Sequence, residues 1–95
     1  MKQFLNPFQT ALLEQLGFPP PQSCDYSIGE LIELLPQVFF NKSLNTECSL
    51  SIVTGSLGTF EVLYTGFEFR IRTCEYELID ALYFMAIKLK KDEII

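Results

Sequence analysis

The side chains best suited to form a polar binding site are four charged residues in the second half of the chain: Glu61, Glu68, Arg70 and Arg72. The last three alternate along one predicted strand, and the first lies across a predicted hairpin from them. A row of guanidinium and carboxylate groups can bind an anion or a peptide. It can also form cross-strand charge pairs on a solvent-exposed face, each contributing ~0.2–1 kcal/mol, and we favour that interpretation.

The residue types on which most catalytic and metal sites depend are missing or scattered. The chain has no histidine, the commonest metal ligand and the usual partner of a serine or cysteine nucleophile. Cys24, Cys48 and Cys74 lack the C-x₂₋₄-C spacing of zinc sites. The glycines of residues 55–58 precede no basic residue or helix start, so they indicate a tight turn. We therefore predict no catalytic residue, no metal site, no cofactor and a non-enzymatic protein.

Length and charge narrow the classes further. The chain has 95 residues, which predicts a single domain over residues 1–95. A net charge of −5 argues against nucleic acid and anionic membranes as partners. Residues 1–7 do not resemble a signal peptide, and the apolar segment 78–89 is too short to span a membrane. With an odd number of dispersed cysteines, these features favour a cytoplasmic protein with reduced thiols.

The N-terminal third predicts two short helices. In the first, Asn6 is a helix cap, Pro7 suits the first helical position and Gln9 can complete a capping box. Gly17 provides a left-handed stop, after which Phe18 can pack back on the helix. Its expected apolar stripe, with Leu13 beside it, is Phe8, Leu12 and Leu16.

The second helix and the segment after it carry equally local signals. Residues 27–30 form an S-x-x-E capping box that opens a helix over residues 28–35, and Pro36 ends it. Residues 37–40 fit either a short strand or an extension that packs two aromatic rings. Residues 41–47 are polar and are predicted to form a loop.

Strict alternation in the middle of the chain predicts an antiparallel β-meander. Residues 55–58 separate the first two strands, and Thr65-Gly66 fits a tight hairpin turn before the third. The expected inward faces of the three strands are Leu50 and Ile52; Phe60, Val62 and Tyr64; and Phe67, Phe69 and Ile71.

The last predicted helix spans residues 75–91, beginning near Thr73 or Cys74. Acidic residues at its start and lysines at its end match the helix dipole. Besides its main stripe, it carries a second set of apolar residues, Tyr76, Tyr83, Phe84 and Ile87. A helix that is apolar nearly all round is usually covered on both sides. The predicted fold is α+β, with two short N-terminal helices, three strands with residues 37–40 as a candidate fourth, and an amphipathic C-terminal helix on the sheet.

Three segments, residues 16–19, 27–36 and 77–85, are similar to small uncharacterised proteins of phage or mobile-element origin in gut bacteria. This resemblance rests on helix caps and core stripes and spans most of the chain. It implies a short accessory protein of unknown activity, and it carries over no functional residue.

Three hypotheses for function follow from these observations. The first is a protein-interaction module that associates with itself, as a homodimer, through the second apolar face of the last helix. The second is an acidic regulator or inhibitor that binds a partner protein. The third is a small-ligand binder, whose polar set would be Glu61, Tyr64, Arg70 and Arg72.

Overall fold

The computed structural model describes residues 1–42 and 45–95. In chain order its elements are α1 (Pro7–Gln15), α2 (Ile28–Leu34), β1 (Val38–Asn41), β2 (Thr46–Thr54), β3 (Phe60–Gly66), β4 (Phe69–Glu75) and α3 (Leu78–Lys91). The strands form one antiparallel sheet in the order β1-β2-β3-β4. The α+β class and the C-terminal helix packed on the sheet are confirmed, and residues 37–40 contribute to a fourth strand.

Both ends of α1 form as the sequence predicts. The Asn6 side chain accepts a hydrogen bond from the Gln9 amide at 2.9 Å, and the Gln9 side chain accepts one from the Asn6 amide at 3.0 Å. At the other end Gly17 has a φ of 97°, and the Phe18 amide donates to the Leu13 carbonyl at 3.1 Å. This is a Schellman motif, in which a left-handed glycine satisfies the last carbonyls of the helix.

The buried face of α1 differs from the predicted stripe. Leu13 is fully buried, whereas Phe8 is 88% exposed and Leu12 is also exposed. On a helix these two directions differ because positions 8 and 13 lie about 140° apart. The Schellman motif brings Leu13 and Phe18 into the core together, and Thr10 beside them donates to Asp25 at 2.9 Å. The tertiary contacts of this end therefore turn Phe8 towards solvent.

The second helix confirms its capping box and its stop. The Ser27 hydroxyl accepts a hydrogen bond from the Glu30 amide at 3.2 Å, and the Glu30 carboxylate accepts one from the Ser27 amide at 3.2 Å. Because the residue before a proline avoids the α region, the helix ends ahead of Pro36. Leu31 on its inner face is fully buried, and α2 packs against α3.

The predicted loop over residues 41–47 is shorter than expected, because residue 41 belongs to β1 and residues 46–47 belong to β2, while residues 42 and 45 form a turn. Asn41 pairs with Thr46, and Phe40 pairs with Glu47; residues 43 and 44 lie outside the described residues. A polar sequence can hold strand geometry here because β2 is a central strand with neighbours on both sides. Thr46 is buried, and its hydroxyl accepts a hydrogen bond from the Phe67 amide at 3.0 Å. The Thr46 side chain thereby supports the turn between β3 and β4.

The hairpin between β3 and β4 turns two residues later than predicted. Thr65 pairs with Arg70 and Gly66 with Phe69, so the turn is made by residues 67–68. Glu68 takes the left-handed conformation there, with a φ of 57°. Gly66 is needed for a different reason: a β-carbon at this position would lie 2.7 Å from the Glu47 carbonyl oxygen of β2. The turn at residues 55–58 is confirmed as a 3₁₀ turn.

The last helix begins at Leu78 rather than near residues 73–75, which continue β4. Pairing with β3 continues as far as Glu75, which lies opposite Phe60. The buried Thr73 hydroxyl donates to the Ala81 carbonyl at 2.8 Å and ties β4 to α3. The sheet covers one side of α3 and the N-terminal segment covers another. None of the helices in the described residues has the length and apolar content needed to cross a bilayer.

We predict that Gly66→Ala destabilises the fold by about 1–3 kcal/mol, because the added methyl group meets backbone that cannot move aside. The matched control is Gly29→Ala, where nothing lies within 4 Å of the added carbon; it should be neutral or stabilising by up to ~1 kcal/mol. Urea unfolding followed by circular dichroism measures both. Equal effects of the two substitutions would contradict the close approach at Gly66.

The orientation of α1 generates a second prediction. Leu13→Ala should cost about 2–4 kcal/mol in unfolding free energy, since it leaves a cavity in the core. Leu12→Ala, one residue away on the exposed side, should cost less than about 1 kcal/mol. The same urea titrations decide the matter, and a larger loss at Leu12 than at Leu13 would restore the stripe expected from the sequence.

Candidate functional site

The second apolar face predicted for the last helix is partly covered within the chain. Tyr76 is 74% exposed and Phe84 is 42% exposed, but Tyr83 is buried and Ile87 is half-buried. The rings of Tyr83 and Phe84 pack edge to face, with 5.1 Å between their centroids. Burial, and then the nearby Asp80 carboxylate, raise the pKa of Tyr83. The structure therefore leaves two of the four predicted interaction residues at the surface.

The predicted polar set is divided between the two faces of the sheet. Arg72 donates through Nε to the Glu61 carboxylate across β3 and β4, and this bond raises the pKa of Arg72. The pair lies on the face away from the helices, as does Arg70, while Glu68 is in the hairpin turn. Tyr64 is buried on the opposite face. The charged row therefore forms a cross-strand ion pair, and Tyr64 does not join it.

An uncharged sheet edge is a feature that the residue pattern does not single out. The Leu50 amide donates to the Gln37 carbonyl at 2.9 Å, so alternate residues of this segment direct their backbone groups towards β2. In an antiparallel pair the intervening residues direct theirs away. Those residues are Val38 and Phe40, and both side chains are exposed. We call this side of the strand the β1 edge, and no strand in the described residues pairs with it.

The opposite edge of the sheet has different chemistry. The two-residue turn makes Gly66 and Phe69 a hydrogen-bonded pair, so the outward backbone groups of β4 belong to Arg70, Arg72 and Cys74. Charged side chains on an edge strand are a common protection against unwanted strand pairing. The β4 edge has this protection, and the β1 edge lacks it.

Tyr64 positions the start of β1. Its hydroxyl donates to the Pro36 carbonyl at 2.7 Å, and its ring packs against Phe39 with 5.0 Å between centroids. The side chain is fully buried, and burial raises its pKa strongly. A central strand thereby holds the edge strand through one hydrogen bond and one aromatic contact.

A groove of about 670 Å³ lies where the C-terminal end of β1 and the N-terminal end of β4 meet the segment after α3. We call it the sheet groove. The rings of Phe39 and Phe69 approach edge to face, with 6.3 Å between centroids, although their strands are separated by two others. Residues from three parts of the chain line the groove, including Phe39, Lys42, Phe69, Ile71, Asp92 and Glu93.

Neither a metal site nor a similarity to known proteins assigns a function to the chain. The described residues contain no group of three or more cysteines or carboxylates able to hold a metal ion. No protein-family model matches the chain, and neither a curated protein nor a solved structure matches it. The resemblance to small phage or mobile-element proteins stays a prediction. The β1 edge and the sheet groove are the sites that the geometry itself offers.

The burial of Tyr64 predicts a loss of stability in alkali. The folded state favours the neutral phenol, so the stabilisation is fully present below the unfolded tyrosine pKa of about 10 and is lost as pH rises above it. Tyr64→Phe should cost ~0.5–1.5 kcal/mol at pH 8 through the lost hydrogen bond. It should also show a smaller further loss between pH 9 and 11 than the unsubstituted chain.

Urea unfolding at a series of pH values tests this expectation. Tyr76→Phe, which removes an exposed hydroxyl, is the matched control. Identical alkaline losses in the Tyr64→Phe variant and the unsubstituted chain would show that the Tyr64 phenol does not contribute to the pH dependence.

Proposed function

We propose that the chain is a non-enzymatic protein-interaction module that associates with itself through the β1 edge. The observation that carries this proposal is the combination of outward backbone groups and exposed apolar side chains at Val38 and Phe40. A strand edge offers a ready template for pairing with another strand. Two apolar side chains beside those backbone groups add surface to bury in the same contact.

The geometry of the edge is self-complementary. Two copies can pair antiparallel about a two-fold axis through Phe39, so that Val38 faces Phe40 of the partner subunit, and the reverse. Each such pair exchanges two backbone hydrogen bonds, because both residues direct these groups outward. This isologous arrangement closes on itself and joins two four-stranded sheets into one of eight strands.

Charge favours this edge over the other. If β4 paired with its own copy in the same way, Arg70 and Arg72 would stand near the same two residues of the partner subunit. Like charges placed opposite one another on neighbouring strands are destabilising. The β1 edge brings no charged side chain into the corresponding positions.

The expected association is weak. The strand has four residues, and Pro36 before it has no amide hydrogen to extend the ladder. The net charge of −5 also opposes contact between two copies. We therefore expect a dissociation constant on the order of 100 µM. An extended segment of a partner protein could use the same backbone groups by strand addition, which is how the acidic-regulator hypothesis would operate.

We predict that Val38→Lys abolishes self-association. The substitution removes the apolar contact with Phe40 of the partner subunit and places a lysine on the strand edge, the type of charge by which edge strands avoid pairing. Sedimentation velocity over ~10–1000 µM should show the weight-average mass of the unsubstituted chain rising towards that of a dimer, and Val38→Lys should stay a monomer. The control is Val53→Lys on the central strand β2, because Val53 is 43% exposed and Val38 is 47% exposed.

Two outcomes would overturn the proposal. The first is a chain that remains a monomer over the whole concentration range. The second is association that persists in Val38→Lys and is lost in Phe84→Ser, which would return the contact to the exposed part of α3. Circular dichroism confirms that each variant is folded.

A further inference from the structure

We propose that the sheet groove binds a small organic cation with an apolar body, such as an aryl-alkyl or alkyl ammonium compound. Self-association neither requires nor implies this activity. The groove measures about 670 Å³, within the roughly 300–1,000 Å³ typical of sites for small molecules. Its floor is aromatic and aliphatic, and its rim carries more negative than positive charge.

The floor depends on two small residues in the centre of the sheet. In the register of the strands, Phe39 lies opposite Cys48, and Gly66 lies opposite Phe69. A β-carbon on Gly66 would lie 3.0 Å from the Cys48 sulfur, so the two small residues are neighbours. Three strand spacings amount to about 14 Å, yet the rings of Phe39 and Phe69 approach to 6.3 Å above these residues.

This arrangement gives the groove a preformed aromatic floor. Tyr64 packs against Phe39 from the side, with 5.0 Å between ring centroids, so the ring of Phe39 is held by two aromatic contacts. Ile71 adds an aliphatic surface next to Phe69 on β4. Aromatic faces attract cations through the ring quadrupole, and a flat apolar body packs well against them.

The acidic rim is positioned by the end of α3. The Glu93 amide donates to the Lys90 carbonyl at 3.1 Å, and the Ile94 amide donates to the Leu89 carbonyl at 2.8 Å. With Glu93 at a φ of 58°, this is a second Schellman motif. This motif packs Ile94 against the core and places Asp92 and Glu93 at the rim of the groove.

The charge balance favours a cation over an anion. Asp92 and Glu93 face the groove together with a single basic residue, Lys42, and no ion pair of the described residues engages either carboxylate. The lysines near the end of α3 do not line the groove; Lys90 lies over the ring of Phe18 at 5.4 Å. The overall charge of −5 adds a weaker attraction for cations from a distance.

The test uses three probes with one apolar body and different charge: 4-phenylbutylamine, 4-phenylbutanol and 4-phenylbutyrate. Amide chemical shifts of the full chain, followed by NMR during each titration, give both affinity and location. We expect the amine to bind with a dissociation constant on the order of 1 mM. It should shift amides near Phe39, Phe69 and Asp92, and it should bind about tenfold more tightly than the carboxylate.

A matched pair of double variants isolates the role of the rim. Asp92→Asn with Glu93→Gln should reduce the preference for the amine over the carboxylate at least fivefold and leave binding of the alcohol unchanged. Glu14→Gln with Glu33→Gln removes the same charge from helices that do not line the groove; it should retain the preference. Repeating the titration in Val38→Lys separates this result from self-association.

Three results would each overturn the proposal. One is binding of the carboxylate as tight as that of the amine. Another is a set of shifted amides that excludes the groove. The last is no shift with any of the three probes up to about 10 mM, since a site of this size and polarity should respond in that range.

Discussion

The burial of α3 between the sheet and the N-terminal segment is the constraint on which the rest of the structure depends. Seven of its side chains are buried, namely those of Ile79, Ala81, Leu82, Tyr83, Met85, Ala86 and Leu89. They occupy more than one side of the helix, so one sheet cannot cover them all. The N-terminal segment is tied to the start of this helix, where the Asp80 carboxylate accepts hydrogen bonds from the Lys2 ammonium and from the side-chain amide of Gln9, both at 3.2 Å. The first two helices therefore form a cover for α3 as well as elements of their own.

Tyr76 and Phe84 stay exposed at or beside α3, and further exposed apolar side chains lie on other elements. Phe8 projects from α1, and Val38 and Phe40 project from the sheet edge. These positions could not be inferred from composition, which predicts an excess of apolar side chains but not their place. The hypothesis of an interaction module keeps its motive, the exposed apolar surface, while its proposed contact moves from a helix to a strand. The reason is that Tyr83 is buried and Ile87 half-buried, which leaves less of the helix surface for such a contact.

The sequence predicts best where the physical cause is local. Both capping boxes, the glycine stop at Gly17 and the proline stop at Pro36 involve residues within a few positions of one another, and all form as expected. The errors arise where a distant segment decides. Gly66 resembles a hairpin glycine, but the Glu47 carbonyl of the neighbouring strand is what excludes a side chain there. Leu13 and Phe8 are both apolar, and only the docking of α1 chooses between them. The sheet groove joins residues 39, 69 and 92, and no local pattern links positions so far apart.

The apolar composition of β1 connects the fold to the proposed association. Side chains alternate between the two faces of a strand, so placing Phe39 above Cys48 on the inner face requires Val38 and Phe40 to lie on the outer face. Their neighbours on the same face of β2 are polar, namely Glu47 and Ser49, so the two apolar side chains meet no apolar partner across this strand pair. Strand propensity alone does not require valine and phenylalanine, because threonine or tyrosine would hold the same conformation with a polar group in water. The proposed contact with another strand would cover this apolar surface and pair the outward backbone groups of the same residues.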